Sequence, residues 1–208
     1  MPEAHINTGV RTILNWNLFY SAYQSAIGDH RIYKRVVQSA PDLNNKFVVD
    51  IGSGNGRLLD FIPESCAYIG YDFNEKYISS ASNKYRNRNA AFYLNDVNQT
   101  TFKERNVDVA FLIGVIHHLS DSDVMLLLKK IKNILKPTGI LISLDPVLIE
   151  NQNVIARYII KNDRGTHVRN IKNYENLTKS EFINSKYTTF NNLLNIPFNH
   201  IIQISQND

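Results

Sequence analysis

The chain of 208 residues, 43% hydrophobic and 20% charged, has the composition of a folded globular protein rather than a disordered tail, and its length suits one well-cored domain better than two. Its net charge of +4 comes from basic residues spread along the chain: Arg31, Lys34 and Arg35, then Lys129, Lys130 and Lys132, then Lys161, Arg164 and Arg169. A solvated surface explains that spread better than a single basic face for nucleic acid, so RNA is the less favoured partner.

The N-terminal "MPEAHINTG" has no basic start leading into an apolar core, so no secretion signal is expected. Residues 10–39 read as one or two helices, broken at Gly28 and followed by Pro41. Strands are expected at 47–51, 67–72, 91–95, 107–113 and 139–144, with a helix after the first. Cys66 is the single cysteine, which rules out an internal disulfide and fits a reducing cytoplasm. Asn74 is positioned to cap a helix ending at Tyr85. The run "VAFLIGVI" is far too short to cross a bilayer. Ser120 and Asp123 form a capping box before "VMLLLKKIKNILKP", where Val124, Leu127, Leu128, Ile131 and Leu135 share one face. Later, 150–161 reads as an amphipathic helix and "TKSEF" at 178 as another capping box. Two β-rich pieces, 187–195 and 199–205, are linked by "IPFNH" as an antiparallel hairpin. Together these predict an α/β fold: a doubly wound, mostly parallel seven-stranded sheet with an antiparallel C-terminal edge hairpin and helices on both faces.

The chemistry concentrates in "FVVDIGSGNGRLLDFI", residues 47–62. A dinucleotide turn reads G-x-G-x-x-G, but here the third glycine is Gly56 and Arg57 stands where that motif has glycine. No Gly-Lys-Ser/Thr follows, so a P-loop is excluded. What remains is D-x-G-x-G-x-G, and it resembles motif I of the class I S-adenosylmethionine-dependent methyltransferases. "YIGYDFNEKYI", "LNDVNQ" and "LKPTGILISLDP" resemble the family's next motifs in order, so the likeness covers roughly residues 45–146. It implies an enzyme whose cofactor, S-adenosyl-L-methionine, leaves as S-adenosyl-L-homocysteine. It also implies a cofactor site of Asp50, Gly52, Ser53, Gly54 and Gly56 at the turn, Asp72 and Phe73 after the second strand, Asp96 and Val97 after the third, and Gly114 after the fourth. Asp50 would help hold the amino end, Asp72 the ribose hydroxyls, and Asp96 the adenine. Asp72 reads alternatively as a helix-capping acid, and Asp96 as a turn residue.

His117 and His118 fall at the carboxyl edge of the fourth strand. Adjacent side chains there diverge and no carboxylate or thiol stands at ligand spacing, so no metal is expected. His117 is the candidate general base, with simple packing as the alternative. Amino-methylating enzymes acting on nucleobases or glutamine carry Asn/Asp-Pro-Pro-Tyr/Phe after this strand; "GVIHHL" departs from that, and "DPV" at 145 does not replace it. Cys66 lies away from the expected site, which argues against cysteine-based attack on a pyrimidine. What remains is an oxygen of a smaller acceptor, with nitrogen or carbon less favoured. The stretch from "DRG" at 163 through the closing "IPFNHII" resembles a group of bacterial methyltransferases often found with sugar- or lipid-modifying functions, and that resemblance implies an oxygen of a sugar, lipid or related metabolite as acceptor, in a bacterial cytoplasmic enzyme. The alternatives are an RNA methyltransferase or a catalytically silent cofactor-binding protein. Substrate contacts are expected from Tyr20 and Gln24 on an N-terminal helix, from His118, and from Arg164, His167 and Arg169 in "NDRGTHVRNIKNYENL". An arginine pair there would suit an anionic acceptor. One domain over 1–208 is expected: a helical cap (1–42), a cofactor core (45–146) and a substrate-side segment with the hairpin (147–208), acting as a monomer or homodimer.

Overall fold

The computed structural model describes residues 30–96, 102–162 and 165–207. Its elements in chain order are α1 (His30–Gln38), β1 (Phe47–Ile51), a 3-10 turn (Arg57–Asp60), β2 (Ala67–Asp72), α2 (Glu75–Lys84), β3 (Ala90–Leu94), β4 (Val107–Ile113), a second 3-10 turn (Ile116–His118) and α3 (Asp121–Ile134). Then come β5 (Leu135–Leu148), α4 (Val154–Lys161), β6 (Arg169–Asn170), α5 (Ile171–Lys179), β7 (Ser185–Phe190) and β8 (His200–Gln206).

Seven strands follow the order β3-β2-β1-β4-β5-β8-β7, and the two-residue β6 pairs with β5 off that path. The β1–β5 half is parallel, while β8 runs antiparallel to both β5 and β7. This is the architecture expected from the alternation of strands and helices. Side chains of one strand alternate between faces, so its apolar run feeds two cores. Val49, Ile51, Ala110 and Leu112 join a cluster with Leu127 and Ile131 of α3 and Leu177 of α5. Val48, Val109 and Phe111 join the opposite cluster with Val36 of α1 and Ala81 of α2. Each such fully buried aliphatic or aromatic side chain stabilises the fold by about 1.5–3 kcal/mol.

The chain builds outward from β1 in both directions, toward β3 on one side and β5 on the other. Loops after β1 and β4 therefore leave in opposite senses and open a crevice at the carboxyl edge. That crevice is where the glycine turn and the paired histidines meet.

Helix starts at Asn74 and Ser120 form as expected. Asn74 accepts from Lys76 N and Tyr77 N, and Ser120 Oγ accepts from Asp123 N at 3.3 Å. Four details differ. The helix expected after β1 is only the Arg57–Asp60 turn, because Pro63 cannot continue a helix and Leu58 and Leu59 are already buried. Leu135 belongs to β5, pairing with Val107 across an irregular register, so that strand starts before 139. "TKSEF" opens no helix: Thr178 Oγ1 lies near the end of α5, 2.6 Å from Gln203 Oε1 and 3.0 Å from Tyr174 O, and the true cap of that helix is Asn170 accepting from Asn173 N. The hairpin turns through 191–199 instead of five residues; buried Leu193 and Phe198 continue the apolar pattern there without strand pairing. Among the described residues, no helix is long and apolar enough to cross a membrane.

Candidate functional site

Tyr71 O on β2 accepts from both Gly52 N (2.8 Å) and Ser53 N (2.9 Å), which pins the start of the glycine turn to the neighbouring strand. Gly52 and Gly54 both have positive φ, 79° and 54°, where a side chain is strained. Their surroundings differ. A Cβ on Gly52 would lie 2.4 Å from Val115 Cγ2, so this glycine is needed where β1 approaches the loop after β4. A Cβ on Gly54 would meet nothing within 4 Å, so its backbone borders open space among the described residues. Gly56 is a packing glycine, with Phe92 and Tyr85 rings against it. Of the three, only Gly54 borders open space among the described residues.

Three buried polar groups surround that opening. Asp50 is 2% exposed; its Oδ2 accepts from the Tyr68 hydroxyl at 2.7 Å, while Oδ1 has no partner among the described residues. Burial pushes the Asp50 carboxyl up to about 7, the Tyr68 hydroxyl opposes this, and the charge of Asp72 adds to it. Ser53 Oγ is likewise buried and unpartnered among the described residues. Asp72 closes the other side: Oδ2 accepts from Gly54 N at 2.9 Å and Oδ1 from Asn74 N at 2.8 Å. Burial raises the Asp72 carboxyl and the backbone N–H groups of Asn74, Gly54 and Phe73 hold it back. The capping alternative for Asp72 is thus half true, since it braces Asn74 while Asn74 caps α2. Phe73 is 79% exposed beside it, a bare ring at the carboxyl edge. Asp96 is exposed just past β3, and Val97 lies outside the described residues.

The chemistry fits the amino-acid end of S-adenosylmethionine. An unmet carboxylate oxygen on Asp50 suits an ammonium, the Ser53 hydroxyl suits a carboxylate, and Asp72 keeps lone pairs for ribose hydroxyls.

On the β4 side, Gly114 (φ 69°) turns the chain out of the strand and donates its N–H to Leu144 O at 2.7 Å. His117 follows, 6% exposed, with Nδ1 2.7 Å from Asp145 Oδ1; its backbone N–H donates to the same oxygen at 3.1 Å. An ionised Asp145 takes Nδ1–H as donor and leaves the lone pair on Nε2. Burial raises the Asp145 carboxyl, and the His117 contacts oppose that rise. Gly165 packs so closely that a Cβ there would lie 2.0 Å from His117 Cδ2, and His167 N donates to His117 O at 3.0 Å. His118 is exposed, its ring centroid 4.0 Å from that of His117. Asp145 was missed in the sequence: it lies inside β5 in the "DPV" set aside as no motif, and its partner is far away in the chain. A carboxylate in an apolar strand run was the available signal.

The substrate candidates scatter. Tyr20, Gln24 and Arg164 lie outside the described residues. His167 is exposed beside the His117 turn. Arg169 requires correction: Nε and Nη2 donate to Asp121 Oδ1, Nη1 to Ile116 O and His167 O, and Nη2 also to Leu119 O. Its five donors are used to clamp the turn bearing His117, so it offers none to an acceptor. Tyr174 is also structural, donating its hydroxyl to Pro146 O at 3.0 Å. Among the described residues no group of three or more His, Cys, Asp or Glu is placed to hold a metal ion.

Known proteins share this fold. Residues 48–139 match a family described as a methyltransferase domain. The chain is 33% identical over 106 residues to a tRNA U34 carboxymethyltransferase of Campylobacter curvus, covering 48% of this chain and 35% of that protein. It is 28% identical over 92 residues to a ribosomal RNA small subunit methyltransferase A of Mesomycoplasma hyopneumoniae, covering 43% and 35%. The match therefore spans about a third of the length of these curated relatives. A Haloferax volcanii methyltransferase solved in complex with a methyltransferase activator superposes with a TM-score of 0.73 at 16% identity, covering 96% of this chain and 97% of that one. Phosphoethanolamine N-methyltransferase 1 of Haemonchus contortus, solved with phosphoethanolamine and S-adenosylhomocysteine, gives 0.69 at 18% identity, covering 97% and 50%. At these identities the structural likeness is one of fold.

Proposed function

We propose that the chain is a class I S-adenosylmethionine-dependent methyltransferase, a reading supported by the methyltransferase-domain match over residues 48–139 and by the fit of the glycine turn to that cofactor, and that it methylates a small acceptor at an oxygen, on a sugar, lipid or related metabolite. The observation that carries this reading is the buried pairing of His117 Nδ1 with Asp145 beside Gly114, at the edge shared with the glycine turn. An oxygen nucleophile needs a proton acceptor, and this pairing reserves Nε2 for that role.

Asp50, Ser53 and Gly54 hold the amino-acid end of the cofactor, Asp72 the ribose, and Phe73 and Asp96 the purine. Bound S-adenosylmethionine supplies an electrophilic methyl carbon whose bonding pair leaves with sulfur. His117 Nε2 takes the acceptor's hydroxyl proton as the new carbon–oxygen bond forms. Asp145 stabilises the resulting imidazolium. Arg169 and Gly165 keep the imidazole in place, so alignment is preset; good alignment can lower such a barrier by about 7–11 kcal/mol.

The test is S-adenosylhomocysteine release over a panel of acceptors. His117→Ala is expected to lose about 10²-fold or more in turnover with acceptor binding retained. Near-normal turnover in that variant removes His117 from the role. A second reading, RNA methylation, draws on the tRNA and rRNA named for the two curated relatives. RNA retention that weakens steeply with salt, together with methyl transfer to that RNA, would favour it.

A further inference from the structure

A cavity of about 620 Å³ lies at the carboxyl edge of the β5–β8–β7 half, between the start of α4, the 191–199 turn and Arg31 of α1. That size suits a small molecule of one or two rings. Its lining is unusual in kind. Seven of the fourteen residues carry side-chain amides, one carries a charge, and none is a carboxylate. The lone charge, Arg31, directs Nη2 to Asn195 Oδ1 and keeps its Nε buried with no partner among the described residues.

The amides are held in place. Gln152, 9% exposed, donates Nε2 to Val147 O at 3.3 Å and to Asn199 Oδ1 at 2.9 Å. Those contacts fix the amide and leave Oε1, buried, with no partner among the described residues. Asn153 spends its oxygen capping α4 through Ile155 N and Ala156 N, which leaves its NH2 to donate. The cavity thus pairs a fixed acceptor with fixed donors. Ile149, Ile196 and Pro197 supply apolar wall between them.

Strand β5 links the cavity to the proposed chemistry. β5 carries Asp145, which holds His117, and Val147, whose carbonyl holds Gln152. Phe198 lines the cavity with its ring 4.9 Å from that of His200, which pairs with Pro146 on β5.

We infer that this amide-lined cavity binds a neutral, polyhydroxylated acceptor, a sugar ring, through paired amide contacts to neighbouring hydroxyls. A phosphate or carboxylate group would find a single cation, Arg31, since no second arginine or lysine lines the cavity to share its charge. An RNA strand would need a basic groove with exposed aromatic platforms. A wholly apolar ligand would leave the buried Gln152 oxygen unmet, which is costly. As a statement of substrate class it rests on the proposed methyl transfer, but binding to the cavity does not depend on the cofactor.

The experiment measures saturation-transfer NMR of neutral p-nitrophenyl glycosides against the full chain without cofactor, then S-adenosylhomocysteine release with the same compounds. Sugar phosphates and tRNA serve as comparison probes. A glycoside is expected to bind, and Gln152→Leu and Asn192→Ala, the latter at an exposed asparagine of the cavity lining, are each expected to weaken it by about tenfold, with S-adenosylmethionine affinity unchanged. Asn192→Ala keeps the test valid should Gln152→Leu fail to fold. Absence of glycoside binding in a folded protein overturns the inference, as does a preference for sugar phosphate or tRNA. Glycoside binding that responds to these variants without methyl transfer leaves the cavity standing and sinks the proposed reaction instead.

Discussion

Asp50 is a buried group whose protonation would be coupled to the proposed ligand. Its carboxyl is pushed from 3.8 up to about 7, chiefly by burial. The folded chain therefore keeps a proton that the unfolded chain gives up; the stability from it is full below about pH 4 and lost as pH rises through about 7. An ammonium beside Oδ1 needs the ionised form. S-adenosylmethionine affinity is thus expected to rise from about pH 5.5 to about 7, with a proton released on binding. Titration calorimetry in buffers of different ionisation enthalpy reads both effects, and Asp50→Asn should lose the pH dependence along with affinity. Affinity that stays flat over that range would place the ammonium elsewhere.

At the scale of elements, the turn after β1 separates glycines that serve packing from the one that faces open space. Gly52→Ala drives a methyl into Val115 and is expected to cost about 1–3 kcal/mol of stability, read as a lower urea midpoint. Trimming the neighbour in Gly52→Ala/Val115→Ala should recover part of that loss. Gly54→Ala meets no neighbour and should lose cofactor affinity out of proportion to its stability. Equal destabilisation by the two single variants would contradict the distinction. The sequence revealed the glycines and their strand through spacing and apolar runs, but which glycine packs against Val115 depends on the β1–β4 approach. Ser120 was legible because its capping partner Asp123 sits three residues on. Asn170 was not, since an asparagine cap followed by "IKNY" has no reciprocal acid. Arg169 looked like a substrate ligand because three of its four acceptors, Ile116 O, Leu119 O and Asp121 Oδ1, lie 48 to 53 residues away and only folding brings them to it.

Across the whole molecule, the sheet divides into a parallel half carrying the glycine turn and an antiparallel edge carrying the amide-lined cavity, with β5 between them. The parallel half was legible from repeated strand–turn–helix motifs; the cavity was not, because scattered asparagines converge only once β7, β8 and α4 are in place. His200 at the join is buried, with its pKa lowered from 6.5 to about 3 by desolvation and the nearby His117. The unfolded chain takes up a proton there that the folded one refuses, so stability is lost as pH falls from about 6.5 toward 3. The protonation of Asp50 works in the opposite sense over an overlapping range, so a difference measurement is needed. His200→Phe should gain on the wild type in urea midpoint as pH falls from about 6.5 to about 4, and a difference independent of pH would contradict a buried neutral imidazole. The glycine turn and the end of β2 together make up the proposed cofactor cradle. Calorimetric titration of S-adenosylhomocysteine into wild type and Asp72→Ala tests it most directly: saturable binding weakened about tenfold or more in the variant is the predicted result, and equal affinity in both proteins would contradict the account.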